Sequence, residues 1–582
     1  MFRRLKNRPM PLASLFLCVF CLSLIYGCLP NSQPVAEASS LLTSPFLQSP
    51  TTNSVRVVWF TEFPGKKNTV AYGDNLKQTT DATTIKLSHT REDQKSRVGE
   101  QTKDKQIYQK PIERDIWRHE AEITGLTTGE EVKYQVISQP ENGGNATSKV
   151  YNLTPAPQAG TPLKILLTSD HQLKPMTAAN LQKAKETAGN IDAVFMAGDL
   201  VNIPDRASEW FDDNRGGAFF PALQGRANYK IAKNRVKTAY TGGEIIQEAP
   251  IFTALGNHEV MGRRGKANNL NDEYNDAIPR AVAKNLYGES DLNANSFNTE
   301  SYEEIFSLPE SNAGGEKYYA TTFGDVRLVV LYATHIWRVP SLEPKAKGKY
   351  REREADFNNR ENWGYGQHIF EPIDKGSSQY NWLVEELNSP EFQQAKYKVV
   401  MFHHPVHSLG DNIVPAYTNP VQAIEKDDND KITAVRYEYP LEEDYLVKDI
   451  VPLLEKANVQ LVFYGHSHLW NRFRSESGMN FLESSNVGNS YGAYFGEKKR
   501  NIPQGYKEKY VEVGDPNGLE PIVPSIKPLT GEDGKPMPYI ASKEITVFSI
   551  LDTGNGTVNS YYFDTTKPEE KVVKFDEFKL ES

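Results

Sequence analysis

Five short polar blocks hold most of the residue types in this chain that could do chemistry. They are Ser169-Asp170-His171-Gln172, Gly198-Asp199, Gly256-Asn257-His258-Glu259, His403-His404-Pro405 and Gly465-His466-Ser467-His468. Six of the eleven histidines fall inside them, too many for histidines that merely cap strands. Carboxylate, carboxamide and imidazole donors suit first-row metal ions. Two ions about 3.5–4 Å apart need a shared bridging ligand as well as terminal ones. A carboxylate bridges well because each oxygen can serve one ion, which makes Asp199 the candidate bridge. Asp170 and His468 are then candidate terminal ligands on one ion, and Asn257, His403 and His466 on the other. A water held between such ions is hydroxide at neutral pH, a ready nucleophile for phosphorus. His258 directly follows a candidate ligand, where it could protonate a leaving-group oxygen and stabilise phosphoryl charge. Such chemistry needs no cysteine or serine nucleophile and no organic cofactor.

The elements that must position these blocks can be read just upstream of each. LKILLTSD, DAVFMAGD, PIFTALGNHE, YKVVMFHHP and VQLVFYGHSH are apolar runs of strand length that end in the polar residues. Parallel strands of this kind converge their ends at one edge of an open α/β sheet, where ligands bind. Helix-like segments at 176–188, 379–387 and 450–456 alternate with the runs, as an α/β domain requires. EITVFSILD and GTVNSYYFD around Gly554-Asn555-Gly556 predict a closing hairpin. The catalytic domain is placed at 163–567, with a C-terminal tail at 568–582. Long polar segments at about 204–248, 338–376, 409–446 and 493–540 read as loops.

Upstream, residues 41–155 alternate apolar and polar positions in SVRVVWFTE, VKYQVIS and SKVYNL, predicting a small antiparallel sandwich of immunoglobulin or fibronectin type. Arg3, Arg4, Lys6 and Arg8 followed by the apolar run 11–27 read as a secretory signal over 1–27. Cys28 after Ile25-Tyr26-Gly27 is the expected lipidation site, and 28–40 a tether. All three cysteines (Cys18, Cys21, Cys28) lie there, so the exported chain is expected to hold no disulfide. Removing four positive charges takes the formal charge from −9 to −13. That balance argues against a nucleic-acid-binding surface, and membrane contact is expected only through the lipid anchor. The expected location is the bacterial periplasm or cell envelope; the sequence leaves the oligomeric state open.

The ordered blocks Asp…Gly-Asp…Gly-Asn-His-Glu…His-x-Pro…Gly-His-x-His resemble the calcineurin-like metallophosphoesterases. The purple acid phosphatase branch is the nearer likeness. PFLQSPTTNSVRVVWFTE and WRHEAEITGLTTGEEVKYQV resemble its N-terminal fibronectin type III-like domain, and Ser378-Gln379-Tyr380-Asn381-Trp382-Leu383 its helix signature. The likeness runs over roughly 44–490. It implies a four-layer α/β (α+β) sandwich of two β-sheets flanked by helices, and an exported phosphate monoesterase. Two metal ions (Fe, Mn or Zn) would be held by Asp170, Asp199 and His468, and by Asp199, Asn257, His403 and His466. His258 is the implied general acid. A phosphodiesterase or nucleotide-directed hydrolase is the alternative activity, and a phospho-ligand-binding lipoprotein with little turnover the alternative class.

Two positions depart from the branch. Gln172 stands where many calcineurin-like enzymes have histidine, and Asn202 where purple acid phosphatases have tyrosine. Either amide oxygen, or a water, could complete the first ion's ligands, and without a tyrosinate no purple colour is expected. His171, Arg206, His335, His407 and Asn257 are candidates to touch substrate.

Overall fold

A computed structural model of the chain describes residues 40–98, 108–233, 235–488, 491–501 and 511–581. The expected signal segment, Cys28 and nearly all of the tether lie outside these residues. Among the described residues no helix is long and apolar enough to cross a membrane.

The N-terminal region is all β. One sheet runs Phe46–Gln48, Ser54–Thr61, Trp117–Thr124, Thr83–Lys86; the other runs Ala146–Thr147, Val132–Gln139, Lys67–Tyr72, Gln78–Asp81. Val55, Val57, Trp59, Ile123, Tyr134 and Val136 fill the space between them. Alternation in SVRVVWFT predicts one wet face, yet seven of its eight residues are buried. The opposite face is covered as well. Val58, Phe60 and Phe46 join the core of the following domain, where Phe60 packs on Phe211 and Phe220 at ring separations of 5.0 and 5.4 Å. Each such buried aromatic or aliphatic side chain contributes roughly 1.5–3 kcal/mol.

The second region is a mixed α/β fold built on two sheets. The first, in order, is Ile251–Thr253, Ala193–Met196, Lys164–Thr168, Ile545–Asp552, Thr557–Asp564, Val573–Lys579. The second is Tyr319–Phe323, Val326–Val330, Tyr397–Met401, Leu461–Tyr464, Asn480–Ser484, Trp470–Arg474, Tyr539–Ile540. The strands that precede the polar blocks run parallel to one another within each sheet. One core serves both sheets, which also touch through Ser484 Oγ to Ser549 Oγ at 3.0 Å and Trp470 on Phe575 at 4.6 Å. Helices Thr177–Ala188 and Ser378–Leu387 flank them.

Two expectations are corrected here. The expected tail at 568–582 contains the edge strand Val573–Lys579, with Phe575 and Asp576 fully buried. Four charges in VKFDEFK masked its period-two pattern, and Arg472 neutralises Asp576 at 2.9 Å. The segments at 204–248 and 409–446 are not plain loops either. They hold the helices Ala207–Phe211 and Phe219–Leu223 and the hairpins Tyr229–Lys233/Val236–Tyr240 and Val421–Lys426/Ile432–Glu438.

Candidate dinuclear metal centre

Strand ends from both sheets meet at one edge. Asp170 and Asp199 follow Lys164–Thr168 and Ala193–Met196; Asn257 opens a short turn after Ile251–Thr253. His403 follows Tyr397–Met401, and His466 and His468 follow Leu461–Tyr464. The chain must reverse abruptly as it leaves each strand. Asp170, Gln172, Asp199, His466 and His468 accordingly adopt left-handed backbone, with φ of 57°, 39°, 56°, 80° and 59°. Each such residue costs on the order of 1–3 kcal/mol, held in place by the rigid sheets beneath. The glycines in the blocks have a steric cause. A Cβ on Gly256 would lie 2.3 Å from Asp199 Oδ1, and one on Gly465 would lie 2.3 Å from Asp170 Oδ2.

Two groups of potential ligands result, Asp199–His403–His466 and Asp170–Asp199–His468, with ligand atoms within 4.8 Å of one another in each. Asp199 belongs to both, the position a bridge must have. His403 Nε2 lies 3.2 Å from Asp199 Oδ2 and 3.1 Å from His466 Nδ1; His468 Nε2 lies 3.4 Å from Asp170 Oδ1. Asn257 Oδ1 is buried without a hydrogen-bond partner, while its Nδ2 donates to the Tyr274 hydroxyl at 3.2 Å. A buried orphan oxygen beside imidazoles fits a metal-ligating carboxamide. His403 Nδ1 is fixed by the Ala197 carbonyl at 2.7 Å, which leaves Nε2 for the ligand role.

The charges agree with this arrangement. Burial would depress His403, but the Asp199 carboxylate beside it raises it to about 9. Burial would raise Asp170, yet the His468 hydrogen bond and the charges of His403 and Lys174 hold it below the usual carboxylate range. Such a cluster exchanges protons for metal readily.

Gln172 and Asn202 occupy specific places. Gln172 Nε2 donates to Asp199 Oδ2 at 2.8 Å, so its amide NH2, not its oxygen, meets the Asp199 carboxylate. Asn202 Nδ2 donates to the Gln172 carbonyl at 2.8 Å, and the Asn202 carbonyl accepts from His258 Nδ1 at 2.7 Å. With Nδ1–H committed to that carbonyl, His258 turns Nε2 toward Asp199 Oδ2, 4.0 Å away, and its ring stacks on Tyr274 at 5.2 Å.

The edge opens into a cleft of about 610 Å³ lined by Asp199, Asn257, His258, His466 and His468. Arg206 lines it too, but Asp93 at 3.1 Å and Glu209 at 2.8 Å neutralise its guanidinium. The other substrate candidates are displaced. His407 is buried against Phe481 and pairs with Asp515 at 2.7 Å. His171 is buried beside Thr168 Oγ1 at 3.0 Å and depressed by burial to about 3. His335 packs on His404 and Tyr417, behind the cleft lining. Strand-end position alone placed these three at the site, and side-chain direction took them away from it.

Three roles went unassigned in the sequence. Glu259 accepts the backbone N–H groups of Asp199, Leu200 and Gly256 at 2.8, 2.7 and 2.8 Å, joining two blocks; its place directly after His258 was the available signal. Burial, then the Asp199 charge, pushes it up to about 8. Tyr274 had no signal. Lys95 and Arg97 reach the cleft from the N-terminal region, and among the described residues no carboxylate side chain pairs with either.

Two sheets that converge aspartates, an asparagine and histidines on one cleft define a metal-dependent phosphoester hydrolase. The chain belongs to the calcineurin-like phosphoesterase family, which residues 163–469 match, more than half its length. Residues 45–154 match the purple acid phosphatase N-terminal domain. Among solved structures, purple acid phosphatase PPD1 from yellow lupin (Lupinus luteus) seeds shares the fold with a TM-score of 0.54 and 14% identity, over 93% of this chain and 74% of that one. A structure of PhoD aligns with a TM-score of 0.40 and 11% identity, over 93% of each chain. Comparison with curated proteins gives no match.

Proposed function

We propose that this protein is an exported phosphate monoesterase. The observation that carries the reading is the pair of ligand groups sharing Asp199, with the orphan Asn257 oxygen and His258 beside them in the cleft. Asp170, Asp199 and His468 would hold one ion, and Asp199, Asn257, His403 and His466 the other, iron, manganese or zinc all suiting these donors. Bound ions supply positive charge for the phosphoryl oxygens and an acidified water as nucleophile. His258 donates a proton from Nε2 to the leaving oxygen while the Asn202 carbonyl and the Tyr274 ring fix its orientation. Lys95 and Arg97 attract the anionic substrate to the cleft mouth. A second reading, diester or nucleotide-directed hydrolysis, is favoured by Trp337, Tyr274 and Tyr491, which line a cleft roomier than a phosphate needs.

Turnover of a mono-aryl and a bis-aryl phosphate by wild type and His258→Ala tests both. Monoester cleavage that falls about 10²–10⁴-fold in His258→Ala is expected of a lost general acid. Cleavage of the diester alone would replace the first reading by the second. We further propose lipid anchoring at Cys28, for which Cys28→Ala should shift activity from the membrane fraction to the soluble one.

A further inference from the structure

His335, His404 and His466 leave three different strand ends and meet in the interior, with ring nitrogens all within 4.8 Å of one another. All three are buried, and neither His335 nor His404 lines the cleft. Their rings lie 4.5 Å (His335–His404), 5.2 Å (His404–His466) and 5.8 Å (His335–His466) apart. Buried imidazoles ordinarily spend their nitrogens on protein donors and acceptors. Here His404 Nδ1 and His466 Nε2 have no partner. His335 meets the Gln367 amide, whose Nε2 lies 2.7 Å from its Nε2, and Gln367 Oε1 is itself buried and unpartnered. His466 is the hinge of the arrangement: Nδ1 faces His403 Nε2 at 3.1 Å, so the orphan Nε2 is left over from the dinuclear centre.

We propose that His335, His404 and His466 form a third metal site, with the Gln367 amide turned over so that Oε1 replaces Nε2 and serves as its fourth ligand. Three neutral imidazoles and a carboxamide oxygen, without carboxylate or thiolate, select a borderline divalent ion such as Zn²⁺ and disfavour Mg²⁺ or Ca²⁺. His466 then coordinates through both nitrogens. Its N–H proton would pass to solvent as the metal binds, and His466 would then serve both the third ion and the ion at Asp199 and His403. Lys349 acts electrostatically on His335 and His404, with its Nζ held by the Val414 carbonyl at 2.8 Å. Its positive charge opposes a cation, and Asp411 partly offsets it. The proposal goes beyond the hydrolytic reading and shares only His466 with it.

The test is metal content per chain, by mass spectrometry, of purified protein reloaded with Zn²⁺ and dialysed. Wild type is compared with His404→Ala, His335→Gln and Asp199→Asn, and thermal melts establish which variants fold. Three ions in wild type and two in either folded His335 or His404 variant are expected. Two ions in wild type, unchanged in both, would overturn the third site and leave the dinuclear reading standing. A single ion lost in His404→Ala yet kept in Asp199→Asn would support the third site and overturn the dinuclear reading. Co²⁺ loading gives a second readout: a tetrahedral absorption component present in wild type and absent from His335→Gln.

Discussion

His119 and His466 are both buried histidines, one in the N-terminal sandwich and one at the strand-end edge, and they are treated in opposite ways. His119 sits within a regular strand, its Nε2 bonded to Thr61 Oγ1 at 2.7 Å and its Nδ1 to Thr84 Oγ1 at 2.9 Å. His466 has left-handed backbone and an orphan Nε2. His119 has both ring nitrogens bonded on a regular strand, whereas His466 accepts backbone strain and an unmet hydrogen bond. At His466 the protein leaves one ring nitrogen open, a valence that an external ligand can complete.

That contrast can be broken most severely at Asp199. Asp199→Ala removes the carboxylate common to both ligand groups and should reduce catalysis to the level of buffer, with metal content falling in parallel. Chelation of wild type should reproduce the loss, and readded metal should restore only wild type. Glu259→Gln is milder. It keeps the shape but exchanges one backbone-accepting oxygen for an NH2, and a loss of about 10–100-fold in activity or metal affinity is expected of a group that orients ligands. A melt unchanged within a few degrees would show that positioning, not folding, was lost.

His119 gives the smallest effect and sharpens the other side. Burial holds its folded pKa down to about 4, below the ordinary 6.5. Between those values the unfolded chain binds a proton that the folded one refuses, so stability present above pH 6.5 is lost as pH falls toward 4. The full loss is roughly 3 kcal/mol at about 1.4 kcal/mol per unit. Denaturant midpoints of wild type and His119→Gln, compared at pH 7 and 4.5, should converge at the acid end. Parallel curves would sink the assignment.

Much of the candidate site was legible because each candidate ligand ends an apolar run, and parallel strands bring their ends to one edge. Asp170, Asp199, Asn257, His403, His466 and His468 were all placed this way. His407 and His335 follow the same rule and stand elsewhere, because a residue's direction beyond a strand end depends on backbone turns that no periodicity encodes. The strand Val573–Lys579 was hidden by charge, since its partner for Asp576, Arg472, lies 104 residues away in sequence. Lys95 and Arg97 were unreadable for the same reason: they enter the cleft from the other region.

The sequence by itself determined the donor chemistry, the order of the blocks and the two-part organisation, because residue type and local apolar runs suffice for these. Only the tertiary structure decided that Gln172 offers its NH2 to Asp199, that Asn202 anchors His258, and that His335 and His404 close around His466. Those outcomes follow from hydrogen bonds and ring contacts between strand ends of two sheets, and such pairings exist only once the core has brought the sheets together.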